Sequence, residues 1–131
     1  MPLDDSKTFK PVNIALITVS DTRTYENDTS GDLLAEYIVE AGHQLVDRVI
    51  ERDDVSKLVA RLHGFIDTEY VDCVILTGGT GLTGRDITPE ALDRVKSKDI
   101  PGFGELFRML SYETIGTSTI QSRACAVLAR G

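Results

Sequence analysis

Val71-Asp72-Cys73-Val74-Ile75-Leu76-Thr77-Gly78-Gly79-Thr80-Gly81-Leu82-Thr83-Gly84-Arg85-Asp86-Ile87-Thr88-Pro89-Glu90 is the stretch around which the rest of the chain reads. Its opening apolar run, bounded by turn residues, has the pattern of a strand buried on both faces in a parallel sheet. Four glycines within the next seven residues bring backbone N–H groups close to whatever lies beyond the strand's carboxyl end. Thr88-Pro89-Glu90 then opens a helix. Thr88 is the expected N-cap, and Pro89 the first helical residue, where its missing donor costs nothing. Strand, glycine loop and helix N-terminus compose an anion site.

Upstream, Val12–Val19 is a second buried-strand candidate, ending in Ser20-Asp21-Thr22-Arg23, with a polar loop over Thr24–Asn27. Asp28-Thr29-Ser30-Gly31 supplies N-cap chemistry for a helix whose predicted inner face is Leu33, Leu34, Tyr37, Ile38 and Ala41, stopped by Gly42. Gln44–Ile50 is more polar and suits a sheet edge. Asp53-Asp54 caps the next helix, with Val55, Leu58, Val59, Leu62, Phe65 and Ile66 on one stripe. Downstream, a helix runs from about Thr88 to Lys96 and Pro101-Gly102 breaks the chain. Phe103, Leu106, Phe107 and Leu110 then recur at helical spacing through about Tyr112.

This alternation predicts an α/β domain with a mostly parallel sheet over residues 12–131, preceded by a loose polar arm, 1–11. Such sheets bind ligands beyond the strands' carboxyl ends. Ser20-Asp21, Asp53-Asp54 and the loop from Thr77 to Asp86 are therefore expected on one rim.

The chain has 131 residues, 41% of them hydrophobic, and a formal net charge of −7. One core is affordable at this length. The acidic balance argues against broad binding to nucleic acid or anionic membrane. No apolar run reaches the length of a membrane span, and the N-terminus lacks a signal-peptide core, so the expected location is the cytoplasm. Cys73 and Cys125 have no metal-ligand spacing and are expected as reduced core residues. His43 reads as a turn residue and His63 as a helix-surface residue. Tyr25 and Tyr37 are expected in loop and core packing.

Gly79-Thr80-Gly81-Leu82-Thr83-Gly84 fits the Gly-x-Gly-x-x-Gly dinucleotide pattern only superficially. Pro89 lies five residues past the last glycine, so a helix running through it would lose a bond and clash, costing about 3 kcal/mol. A P-loop needs a lysine after its last glycine, where this chain has Arg85-Asp86.

Thr77-Gly-Gly-Thr-Gly81, Asp86-Ile-Thr-Pro-Glu-Ala91, Pro101-Gly-Phe-Gly-Glu105, Ser122-Arg123 and Asp28-Thr-Ser-Gly31 together resemble the MoaB/MogA family of molybdenum cofactor biosynthesis proteins. The likeness covers about residues 12–128, and Gly102–Arg123 is closer to the MoaB type. It implies a three-layer α/β molybdopterin-binding fold, assembled as a homotrimer or homohexamer. It implies molybdopterin as ligand and, in MogA-like members, adenylylation of its terminal phosphate with ATP and Mg²⁺. The alternative is a carrier that binds the pterin without chemistry.

By position, the resemblance gives Asp86 and Asp53 as the catalytic and Mg²⁺-holding acids. Thr77, Gly78, Gly79, Thr80 and Gly81 form its phosphate cradle. Ser20, Asp21, Ser30 and Gly31 line the nucleotide or pterin pocket, and Glu105, Ser122 and Arg123 complete the rim. These residue types suit the reaction. Joining two anions requires positioning and charge neutralisation, and Mg²⁺ takes only one or two protein carboxylates beside phosphate oxygens. The family pattern continues past Ser122-Arg123 into a strand pair, a Pro-Gly-Ser loop and a closing helix. Relative to it, a sequence closing at Leu128-Ala-Arg-Gly131 is C-terminally incomplete, and a strand at 124–128 is expected to lack its usual partner and leave an open edge.

Overall fold

β1 (Asn13–Val19) is the axis of the domain: Ala15, Leu16 and Ile17 are wholly buried within it. In this computed structural model, which describes residues 6–130, it pairs in parallel with β2 (Gln44–Glu51) on one side and β3 (Cys73–Thr77) on the other. Residues 1–5 of the expected arm, and Gly131, lie outside the described residues. Within the described part of that arm, Phe9 lies against the His43 ring, whose Nδ1 accepts from Val12 N–H.

Side chains alternate across a strand, so β1 serves two cores. Ala15, Ile17 and Val19 pack with Leu58, Leu62 and Phe65 of α2 (Val55–Ile66) and with Ala91 and Leu92 of α3 (Thr88–Val95). The opposite face carries Leu16 and Thr18 and is covered by α1 (Thr29–Glu40), whose Gly31 abuts Thr18. Three layers result, as the family resemblance implies. Each fully buried Leu16, Ile17 or Leu58 contributes about 1.5–3 kcal/mol through removal from water. After α3 the chain forms β4 (Lys98–Asp99), α4 (Pro101–Ile115), a 3₁₀ segment (Gly116–Gln121) and β5 (Val127–Leu128). β5 pairs antiparallel with β4, with Lys98 opposite Leu128 and Asp99 opposite Val127.

Several expectations are corrected. β3 is not a doubly buried strand. It joins the sheet only through β1, and Cys73 at its start is exposed, so the apolar run records a half-covered edge. Cys125 is exposed too, although its neighbour Ala124 is buried and Val127 packs against the core. Leu33 and Tyr37 of α1 face solvent, and only Gly31 and Ile38 of that helix are buried. Helix α4 extends three residues past the predicted end at Tyr112, to Ile115.

Asp28 locks α1 onto the sheet. Its side chain, 1% exposed, accepts from Gly31 N–H at 3.0 Å and Thr18 Oγ1 at 2.7 Å, and pairs with Arg48 at 3.1 Å. Arg48 also reaches Asp32 at 2.8 Å. Burial pushes the Asp28 carboxyl up, but the hydrogen bonds from Thr18, Gly31 and Arg48 outweigh it and hold its pKa below the ordinary value. A carboxyl depressed in the folded state adds stability that is present above its unfolded pKa and is lost as pH falls through the folded one. Asp28→Ala removes an N-cap and half of a buried ion pair at once. It should cost about 2–4 kcal/mol in urea unfolding at pH 7. The wild type should lose more of its urea midpoint than the variant as pH falls from 6 towards 2.

Candidate functional site

The carboxyl ends of β1, β2 and β3 converge, and the chain leaves β1 and β3 towards opposite faces of the sheet, the arrangement that opens a crevice between adjacent strands. At the end of β1, Ser20 N–H donates to Glu51 O at 2.8 Å. The Ser20 hydroxyl accepts from Thr22 and Arg23 N–H at 3.2 and 3.0 Å and so holds its own loop. Asp21 reaches across the rim: its Oδ1 accepts from Asp53 N–H at 3.0 Å, and its Oδ2 pairs with the Arg85 guanidinium. Asp21, Asp53 and the glycine loop thus meet, as the topology predicts.

Asp54, not Asp53, caps α2, accepting from Lys57 N–H at 2.9 Å. That leaves the Asp53 carboxylate free of capping duty. Burial raises its pKa above the ordinary carboxylate value, and the negative charge of Asp86 raises it further. Asp86 moves the other way. The hydroxyl and amide of Thr83 donate to its Oδ2 at 2.8 and 2.9 Å and hold its pKa low. Two acids on separate loops sense each other's charge, and one is kept ionised. Mg²⁺ takes only one or two protein carboxylates when phosphate oxygens supply the rest, and Asp53 and Asp86 are the acids at this rim that could hold it. No group of three or more potential ligands forms among the described residues.

The glycine loop is fixed by its carbonyls. Gly78 O accepts from the Thr88 hydroxyl at 2.7 Å, and Gly79 O from Thr88 N–H at 3.0 Å. Thr80 O accepts from Arg123 N–H at 2.8 Å, and Gly81 O from Arg123 Nε at 2.6 Å. In a trans peptide the N–H points opposite to the C=O of the same unit. Four inward carbonyls therefore aim the amides of Gly79, Thr80, Gly81 and Leu82 away from these anchors. The Gly81 amide meets the Asp86 carboxylate. Gly78 and Gly79 have φ of +99° and +72°, and a Cβ on them would collide with Val19 O and the Thr88 hydroxyl respectively. Only glycine fits there.

Thr88 is not the expected N-cap. Ile87 occupies that position without a side-chain cap, Pro89 falls one residue later than expected, and the Thr88 hydroxyl serves the glycine loop instead. Arg123 sits behind the loop. Its Nη2 donates to Asp86 O at 2.7 Å, and its two terminal nitrogens grip Glu90 at 2.6 and 3.0 Å.

Of the remaining candidates, Thr77 ends β3 opposite Thr18, directly before the loop. Ser30 is exposed on the first turn of α1, and Gly31 packs on Asp28. Glu105 lines a different groove of about 290 Å³, with Ile100, Arg108 and Cys125. The Ser122 hydroxyl accepts from Ala124 N–H at 3.3 Å, and its carbonyl accepts from Arg108. Sequence reasoning assigned no role to Thr83, Arg85 or Glu90. Thr83 is legible in hindsight as the turn donor three residues before an aspartate. Glu90 is paired with a residue 33 positions away and leaves no local signal.

A three-layer α/β domain with a glycine loop and the acids Asp21, Asp53 and Asp86 at one rim has the form of a small-ligand-binding domain. Residues 15–129 match the family described as "Probable molybdopterin binding domain", and the chain belongs to that family. It is 48% identical over 124 residues to molybdenum cofactor biosynthesis protein B of Escherichia coli K12, covering 95% of this chain and 73% of that one. A crystal structure of a molybdenum cofactor biosynthesis protein B superposes with a TM-score of 0.86 at 45% identity, covering 91% of this chain and 74% of that one. The tungsten cofactor synthesizing protein MoaB of Pyrococcus furiosus gives 0.81 at 37% identity, covering 95% and 77%.

Asp86→Asn removes the like charge facing Asp53. The Asp53 pKa should then fall towards, but not reach, the ordinary value, because its burial persists. Carboxyl ¹³C titration measures this; an unchanged Asp53 midpoint would mean that the two acids do not share a site.

Proposed function

We propose that the rim binds molybdopterin and transfers AMP from ATP to its terminal phosphate. The observation that supports this most is the glycine loop itself, with carbonyls tied inward, amides turned outward, and Asp53 and Asp86 beside it. A terminal phosphate oxygen of the pterin forms a bond to the α-phosphorus of ATP. The bond from that phosphorus to the bridging oxygen breaks, and pyrophosphate leaves with the electron pair. Mg²⁺ held by Asp53 and Asp86 would neutralise phosphate charge during this exchange. The amides of Gly79, Thr80 and Leu82 hold phosphate oxygens without needing to reorganise. In this reading Ser20, Asp21 and Ser30 would meet the nucleotide or pterin on the β1 side, with Gly31 packed beneath them on Asp28. Asp21 orders the Asp53 loop through its backbone amide. Both ATP and reduced thiols suit a cytoplasmic location.

A second reading, binding of molybdopterin without transfer, is favoured by one feature: Asp86 is already engaged by Thr83 and the Gly81 amide. With ATP, Mg²⁺ and molybdopterin, the transferase reading expects pyrophosphate release, reduced about a hundredfold or more in Asp86→Asn and Asp53→Asn. Calorimetric pterin binding with no pyrophosphate released selects the carrier instead.

Assembly into a homotrimer or homohexamer is the companion proposal, with a second copy seated on α4. Phe103, Leu106, Phe107, Met109 and Leu110 are each about half exposed along that helix. Together they form an exposed apolar stripe of the kind that a second copy covers in a stable interface. Sedimentation should give a mass above the monomer, and Leu106→Glu should return it to the monomer; a monomeric wild type at tens of micromolar contradicts the proposal.

A further inference from the structure

We infer that Arg123, oriented by Glu90, is the positioning residue that turns the amides of the glycine loop towards the ligand. The inference rests on the reading of that loop as an anion cradle. Nothing in the resemblance gives Arg123 this task; as a rim residue it would meet ligand directly.

The donors of the side chain decide between the two roles. A guanidinium has five N–H groups. Nε is spent on Gly81 O, Nη2 on Asp86 O and Glu90 Oε1, and Nη1 on Glu90 Oε2. Four of the five are thus committed within the protein, and the backbone amide of the same residue holds Thr80 O. Arg123 is occupied behind the loop and does not present a free fork to an anion in front of it.

What it does instead follows from peptide geometry. Thr88 fixes the carbonyls of Gly78 and Gly79, and Arg123 fixes those of Thr80 and Gly81. Each half of the cradle has one anchor. The Thr80 tie is a backbone N–H that any residue but proline at 123 keeps. Without the side-chain fork, the peptide unit after Gly81 can rotate, the Leu82 amide loses its direction, and Asp86 loses the tie on its own carbonyl. Glu90 supplies orientation. Its bidentate grip sets the plane of the guanidinium, and a planar fork bridging three acceptors is a task lysine cannot perform. The pair also depresses the Glu90 carboxyl through the Arg123 hydrogen bonds, so the grip persists at neutral pH.

Arg123→Lys keeps the charge and removes the fork, and Glu90→Gln keeps Arg123 and loosens its plane. In the ligand-free protein, amide hydrogen exchange at Thr83 and Asp86, which bond each other across the loop, should accelerate about tenfold in Arg123→Lys and less in Glu90→Gln. Pyrophosphate with Mg²⁺ should bind about tenfold more weakly to Arg123→Lys. Val59→Ala, a core change on α2, should lower Tm without altering exchange in the loop, which separates positioning from general stability. Loop exchange within twofold of wild type in both Arg123→Lys and Glu90→Gln overturns the inference, whatever the ligand does. Accelerated exchange in those variants, together with a wild type that binds no pyrophosphate, upholds the positioning role and overturns the anion-cradle reading.

Discussion

Four consecutive backbone carbonyls, from Gly78 to Gly81, are each held by a donor from elsewhere in the chain, and the rim depends on that anchorage. A loop with four glycines loses more entropy on ordering than any other seven-residue stretch of this chain would. Thr88 from the start of α3 and Arg123 from beyond α4 offset that loss with hydrogen bonds. The cost of order is met in the folded protein itself, so an anion entering this rim would find the loop already ordered. Positive φ at Gly78 and Gly79 is part of the same construction, because a side chain at either would push the loop off β1 or off Thr88.

Charge is distributed to match. On the α1 side of the sheet, Asp28 is neutralised by Arg48 and hydrogen-bonded on every side visible in the structure, which makes it a structural acid. At the rim, no ion pair to Asp53 forms among the described residues, and its pKa is pushed up by burial and by Asp86. An acid left in that state gains from any cation that enters between the two loops. The contrast separates acids that hold the fold from acids available for chemistry.

The sequence reports the periodic parts of this protein well. The α2 stripe of Leu58, Leu62 and Phe65 is the floor of the core. Val12–Val19 is β1 to within one residue, and the polar strand at 44–50 lies at a sheet edge. Convergence of Asp21, Asp53 and Asp86 follows from strand–helix alternation alone. The departures from the sequence expectation have two causes. Apolar content at β3, at Leu33 and Tyr37, and at Cys73 and Cys125 does not entail burial, which requires a covering layer that periodicity cannot supply. The second cause is long-range pairing. Arg123 with Glu90 and Arg85 with Asp21 join positions 33 and 64 residues apart, and Thr88 gives up a cap to hold the loop before it. Local propensity holds no record of such bonds.

The most direct test of the account is amide chemical-shift mapping of the wild-type chain titrated with pyrophosphate and Mg²⁺. The account predicts saturable shifts that are largest at the amides of Gly79, Thr80 and Leu82, with the carboxyl signals of Asp53 and Asp86 moving at the same concentrations. Shifts centred instead on the Lys57–Arg61 surface or on α4, with the loop amides unmoved, would contradict it.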